Sequence, residues 1–106
     1  MTGDPQTAYV HPVEERLRMQ FVRSLDGDGA AYNVFLRDLA THLRGYLRRR
    51  LPNLHDDVED VLQEVLLAIH RSRHTYRRDE PLTAWVHAIV RYKMVDFLRA
   101  HARHEA

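Results

Sequence analysis

The sequence predicts an all-α protein, a small bundle of about four helices. Three observations predict it. Apolar residues recur every three or four positions along four separate stretches. β-Branched residues never alternate with polar ones over a useful length, so nothing reads as a strand. Pro, Gly and Asp punctuate the chain where those stretches begin and end.

The first helix is expected to start at Pro12, since proline is favoured at the first helical position, and to end near Leu25. The polar residues 1–11 before it read as a flexible tail, and 12–104 as one helical domain. Val13, Leu17, Phe21, Val22 and Leu25 share one face. Asp26-Gly27-Asp28-Gly29 then supplies a turn, because Gly and Asp tolerate the dihedrals of a tight reversal.

A second helix is predicted from about Ala30 to Leu51, with Tyr32, Phe35, Leu36, Leu39, Leu43, Tyr46 and Leu47 as its buried stripe. Arg48, Arg49 and Arg50 stand in its last turn, where cations meet the negative end of the helix dipole. The third helix is expected to be capped by Asp56, with Glu59 bonding back in a capping box and Asp57 and Asp60 adding charge. Val58, Val61, Leu62, Val65, Leu66 and Ile69 form its apolar face, which fades around Arg73. Residues 72–80 read as a charged, irregular stretch. Pro81 opens a fourth helix reaching about Ala102, with Leu82, Trp85, Val86, Ile89, Val90 and Phe97 toward the core.

The composition removes several functions. The 106 residues fit one modest core, and 44% of them are hydrophobic, enough for a globular fold. There is no cysteine, which excludes disulfides, thiolate zinc sites and a cysteine nucleophile and suits a reducing cytoplasm. No apolar run approaches the roughly 20 residues that span a bilayer. Ser24 and Ser72 lack the surroundings of a nucleophile, and no Gly-rich loop follows a strand. His70 and His74, and likewise His101 and His104, are spaced to share a helix face. Neither pair has an adjacent Glu in the zinc-protease pattern. No enzyme, small-molecule substrate, cofactor or metal is expected.

Charge distribution says more than the net charge of +1. Residues 56–64 hold five acids and no base, whereas 65–106 hold eight bases against four acids, a formal +4. Two surfaces of opposite charge imply two kinds of partner. Asp60, Gln63 and Glu64 lie off the apolar stripe of the third helix and can face a partner together. Arg77, Arg78, Arg91, Lys93 and Arg99 can neutralise phosphates, and Tyr76, His87 and Tyr92 are flat enough to stack on bases. Trp85, on the apolar face, is expected in the core, while His87 and Tyr92 fall on the flank and far side of the last helix.

Several stretches resemble region 2 of the extracytoplasmic-function sigma factors of bacterial RNA polymerase. Gly27-Asp28, Ala31-Tyr32 and Phe35-Leu36 are similar to its opening. Asp57-Val58-Glu59-Asp60-Val61-Leu62-Gln63-Glu64-Val65 resembles its acidic pair leading into Gln-Glu. Pro81 to Val86, Ile89-Val90-Arg91, Asp96 and Leu98-Arg99 resemble its promoter-reading helix.

The resemblance implies a transcription initiation domain of sigma region 2 type. Asp57, Asp60, Gln63 and Glu64 would dock on the clamp-helix coiled coil of core RNA polymerase. Tyr76, Arg77, Arg78, Thr83, His87, Ala88, Arg91, Tyr92 and Arg99 would meet the non-template strand of the −10 promoter element, with one flipped base held beside the loop. It also implies an anti-sigma factor, often membrane-embedded, that covers the same surfaces, so a module bound mainly by such a protein is the alternative. A general helix–turn–helix regulator fits less well, because the last helix is long and follows an extended loop.

Three features depart from the family's pattern. Ala84-Trp85 stands where housekeeping sigma factors carry two tryptophans at the melting fork, which makes melting depend more on the promoter. Tyr92 often has Asn in its place. The chain stops soon after Arg103, short of the family's second promoter-reading domain, as expected of a fragment or of a natural single-domain relative.

Overall fold

Leu17 and Phe21 from the first helix, Phe35, Leu39, Leu43 and Leu47 from the second, Val65 and Ile69 from the third, and Leu82 and Val90 from the fourth are fully buried against one another. These residues are the centre of an all-α bundle, seen in a computed structural model that describes the backbone of residues 5–105 and side chains over residues 12–103. The elements are α1 (Pro5–Leu25), α2 (Gly29–Arg50), a 3-10 turn (His55–Asp57), α3 (Val58–Arg71), a second 3-10 turn (Arg73–Thr75) and α4 (Leu82–Glu105). α1 packs on α2 and α4, and α3 packs on α2 and α4, while α2 and α4 meet more narrowly, through His42, Tyr46 and His87.

α1 begins earlier than the sequence implies. Residues 5–11, expected as part of a flexible tail, are helical, and Pro12 lies inside the helix. Proline's missing amide removes one backbone bond there, at a cost of up to about 3 kcal/mol. Pro5 instead takes the first helical position that the same preference assigned to Pro12. Residues 1–4 of the expected tail lie outside the described residues.

The α1–α2 turn matches its chemistry. Gly27 has φ +104°, a left-handed value that side chains disfavour. The Asp28 carboxylate caps α2 by accepting the Ala31 amide at 3.0 Å. Phe35, Leu39, Leu43 and Leu47 then repeat every four residues along the buried face of α2. Each buried side chain of this size contributes roughly 1.5–3 kcal/mol of burial energy.

α3 starts differently from expectation. Its N-cap is Asp57, which makes no side-chain capping bond, and the preceding 3-10 turn takes up Asp56. Glu59 does not reach back. Its carboxylate instead accepts from Arg44 of α2 at 2.6 and 3.3 Å, and that guanidinium bond holds the Glu59 carboxyl below its ordinary value. A bidentate arginine is a stronger donor than a lone backbone amide, so the tertiary pair replaces the local one.

The stretch over residues 72–80 is tied down rather than irregular. Thr75 Oγ1 donates to the Ser72 carbonyl at 2.7 Å, the Tyr76 hydroxyl donates to the Glu80 carbonyl at 2.7 Å, and the Glu80 amide donates to the Arg77 carbonyl at 3.0 Å. Arg18 of α1 donates to the Arg78 carbonyl at 2.5 Å, and Arg78 donates to Asp26 at 2.8 Å. α1 also caps α4. The Glu14 carboxylate accepts the Leu82 and Thr83 amides, both at 2.8 Å, satisfying two of the amides that a helix start leaves free.

Candidate docking face and nucleic-acid interface

On α3 the buried stripe of Val58, Val61, Leu62, Val65 and Ile69 leaves Asp60, Gln63 and Glu64 exposed together on the opposite side. The 3.6-residue period puts them there: Gln63 and Glu64 follow Asp60 by three and four positions. Leu67, exposed, extends this face by one more turn. Asp57 stands apart, half-buried in the 3-10 turn, with its amide donating to the Leu54 carbonyl at 2.9 Å. Asp60, Val61, Glu64, Lys93, Asp96 and Phe97 line a groove of about 280 Å³ between α3 and α4. Across it Lys93 Nζ stands 4.0 Å from Glu64, a partly exposed pair worth about 0–1 kcal/mol.

The loop and α4 place the other candidate residues in different surroundings. Tyr76 is not a platform for bases. It is buried, with its ring edge-on to Phe21 at 5.5 Å and tilted against Trp85 at 5.5 Å. The apolar ring gains more from this cluster than from water, and Glu80 takes its hydroxyl. Trp85, expected in the core, is half-buried at its edge, tilted against Phe21 at 5.5 Å, with its indole N–H donating to Thr75 Oγ1 at 3.1 Å.

Arg77 and Arg78 project from the loop but already face acids, Asp79 at 3.4 Å and Asp26 at 2.8 Å. The Arg78 guanidinium holds the Asp26 carboxyl below its ordinary value, by hydrogen bonding and then by charge.

Beyond the loop, Ala88, Arg91, Tyr92 and Arg99 are exposed along α4, Tyr92 to 68%. Ala88, Ile89, Tyr92 and Lys93 join Ala68, Ser72 and Trp85 in a mostly apolar groove of about 410 Å³ against the end of α3. Thr83, half-buried in the first turn, is held through its amide by Glu14.

His87 does not join this surface. It is half-buried against α2, sharing a hydrogen bond with His42 (Nε2 to Nε2 3.3 Å) and meeting the Tyr46 ring edge-on at 4.7 Å. Nothing in the sequence couples His42 to a residue 45 positions away. Glu14 and Arg18, which fix the loop from α1, were equally invisible, because their polar bonds leave no periodic trace.

His70 is hydrogen-bonded to the Tyr32 hydroxyl at 2.7 Å, and the His104 side chain lies outside the described residues. Among the described residues no three His, Asp or Glu side chains are grouped as metal ligands. No described helix is long and apolar enough to cross a membrane.

Against known families, residues 35–104 match the model of sigma-70 region 2. Among curated proteins, the chain is 46% identical over 86 residues to the ECF RNA polymerase sigma factor SigF of Caulobacter vibrioides, covering 81% of this chain and 48% of that protein. It is 34% identical over 87 residues to the ECF RNA polymerase sigma factor ShbA of Streptomyces griseus, covering 77% and 46%. It is 31% identical over 78 residues to the ECF RNA polymerase sigma factor SigM of Mycobacterium tuberculosis, covering 74% and 39%. The chain thus spans about half or less of the length of these relatives. No solved structure matches it.

Proposed function

This chain belongs to the sigma-70 region 2 family, and we propose on that premise that it acts in transcription initiation, docking on core RNA polymerase and holding the opened −10 element of a promoter. The observation that carries the docking half is the outer face of α3. Asp60 and Gln63 are exposed on it, opposite a fully packed stripe, and neither makes a side-chain hydrogen bond or ion pair among the described residues. An exposed carboxylate and amide left unpaired cost nothing in water, and the Asp60 carboxylate gains when a basic partner arrives. That arrangement steers association and fixes register. Asp57, set back in the 3-10 turn, would contribute charge at the edge of this face rather than contact at its centre.

The DNA half uses the tied loop and the outer side of α4. The groove over Trp85 is apolar, with the exposed Tyr92 ring and the Lys93 ammonium at its edge. A base turned out of the stack fits that chemistry: rings to lie against, a cation for the backbone, and edges that a duplex would hide. Arg91 and Arg99 supply phosphate contacts along the helix. Arg77 and Arg78 would have to exchange their acidic neighbours for phosphates. Trp85 is half-buried beneath that groove and stands without a second tryptophan beside it, so melting would rest on the promoter's own weakness and on the polymerase.

An anti-sigma factor, membrane-embedded or not, would hold the chain inactive by covering the α3 face, where exposed Leu67 adds apolar area for a protein partner. With polymerase and promoter DNA as partners, the chain would act in the cytoplasm. Co-precipitation with a polymerase clamp-helix fragment tests the reading. Wild type should be retained and a Gln63→Ala/Glu64→Ala double variant lost. Equal retention of the two overturns the docking assignment.

A further inference from the structure

Cations that make no ion pair among the described residues lie on the α2 side of the proposed promoter helix. His42, Tyr46, Arg49 and Arg50 follow one another on a single face of α2, at spacings of four, seven and eight residues. His87 faces them from α4, and Arg91, one turn further along that helix, is near enough for its charge to act on His87 as that of Arg50 does. The His42–His87 bond and the Tyr46–His87 ring contact join the two helices, and Arg50 lies over the Tyr46 ring at 4.9 Å.

The surroundings are one-sided. Desolvation first, and then the charges of Arg49 and Arg16, hold His42 below the ordinary imidazole value. Desolvation, His42, Arg91 and Arg50 do the same for His87. Arg16 is paired with Asp38 at 3.5 Å, but Arg49, Arg50 and Arg91 form no ion pair among the described residues. The loop arginines, by contrast, are matched by Asp79 and Asp26. Three unmatched guanidiniums beside two polar rings repel a metal cation and attract an anion.

We propose that this α2–α4 seam is a second nucleic-acid contact, in which Arg49 and Arg50 of α2, next to Arg91 of α4, clamp the sugar–phosphate backbone of duplex DNA without reading its sequence. The seam borders Arg91, so a strand lying along α4 reaches it without leaving the protein surface. Arg49 and Arg50 are exposed, and guanidiniums bind phosphates through paired N–H donors. The inference rests on the promoter-binding reading but makes a separate claim, since a backbone clamp adds affinity and no base preference.

The test is a salt titration of the full chain on a fork probe, part duplex and part single strand, with a −10-like or a scrambled sequence. Arg49→Gln/Arg50→Gln should flatten the slope of log affinity against log salt by about 2, and weaken binding on the order of 10-fold on both sequences alike. Arg49→Lys/Arg50→Lys should keep the slope. Arg23→Gln/Arg37→Gln removes the same charge elsewhere and should also keep it. The inference is overturned by an unchanged slope in the first variant, by an equal fall in the charge-matched control, or by a loss confined to one sequence. Removing the duplex arm should erase the difference between wild type and the Gln variant; a difference that survives on single strand alone also overturns it. Absence of any sequence preference in wild type is a different failure, of the promoter reading, and leaves the slope comparison decisive.

Discussion

Glu14 accepts the amide of Thr83 at 2.8 Å and that of Leu82 at the same distance, so a carboxylate on the first helix caps the last one. Few of this chain's polar bonds span so much sequence, and this one decides where the proposed DNA-facing helix begins. Replacing Glu14 by Ala should destabilise the domain by about 0.5–2 kcal/mol in urea unfolding. Glu14→Gln should recover part of that, since an amide oxygen still accepts but carries no charge toward the helix dipole. No loss in Glu14→Ala would show that water caps α4 equally well.

Reversing charge on the α3 face should separate binding from folding. Asp60→Arg or Glu64→Arg should weaken clamp-helix binding by roughly 10-fold or more, about 1.4 kcal/mol or greater. Melting temperature should stay within a few degrees, because both side chains are exposed. Asp57→Arg should have the smaller effect of the three, measured by the same titration.

Tyr76 and Tyr92 should respond in opposite ways. Tyr76→Ala empties a place among Phe21, Trp85 and their neighbours and should cost about 3–5 kcal/mol of stability. Tyr76→Phe removes only the bond to Glu80, about 1 kcal/mol. Tyr92→Ala should leave the unfolding midpoint unchanged but reduce affinity for single-stranded DNA by about 1–3 kcal/mol, read by fluorescence anisotropy.

The histidine pair makes a pH prediction. His42 and His87 both sit below the ordinary imidazole value when folded. Between their folded values and the ordinary one near 6.5, the unfolded chain therefore binds more protons. Stability should rise with pH through that window and fall on acidification below about pH 6.5. A His42→Gln/His87→Gln variant should show a flatter profile, and denaturation midpoints from pH 7.5 to 5 would measure it. Equal slopes would remove the pair from the account.

Much of this architecture could be read directly from residue order. Helix faces follow from period alone, so the buried sets of α2 and α3 and the exposed Asp60, Gln63 and Glu64 are legible, as is the turn around Gly27. Long-range polar pairs behave otherwise. Glu59 looked like half of a capping box because the motif is local; Arg44, which claims it, lies fifteen residues back on another helix. Tyr76 and His87 looked like free flat rings because neither falls on an apolar stripe. Phe21 and Trp85 enclose the first, and Tyr46 and His42 meet the second. Pro12 misled because a rule about where helices begin says nothing of whether one has already begun.

The ring of Phe21 carries a last consequence, for how the domain may be cut. It touches Phe35 on α2, Tyr76 in the loop and Trp85 on α4, with centroid separations of 4.8 to 5.5 Å. Yet residues 35–104, the span that matches the family model, exclude it together with the rest of α1. The segment by which the chain is recognised is therefore shorter than the segment that folds. Trimmed to the recognisable part, the domain would keep both proposed contact faces in its sequence and lose the side chain that brings three of its elements together.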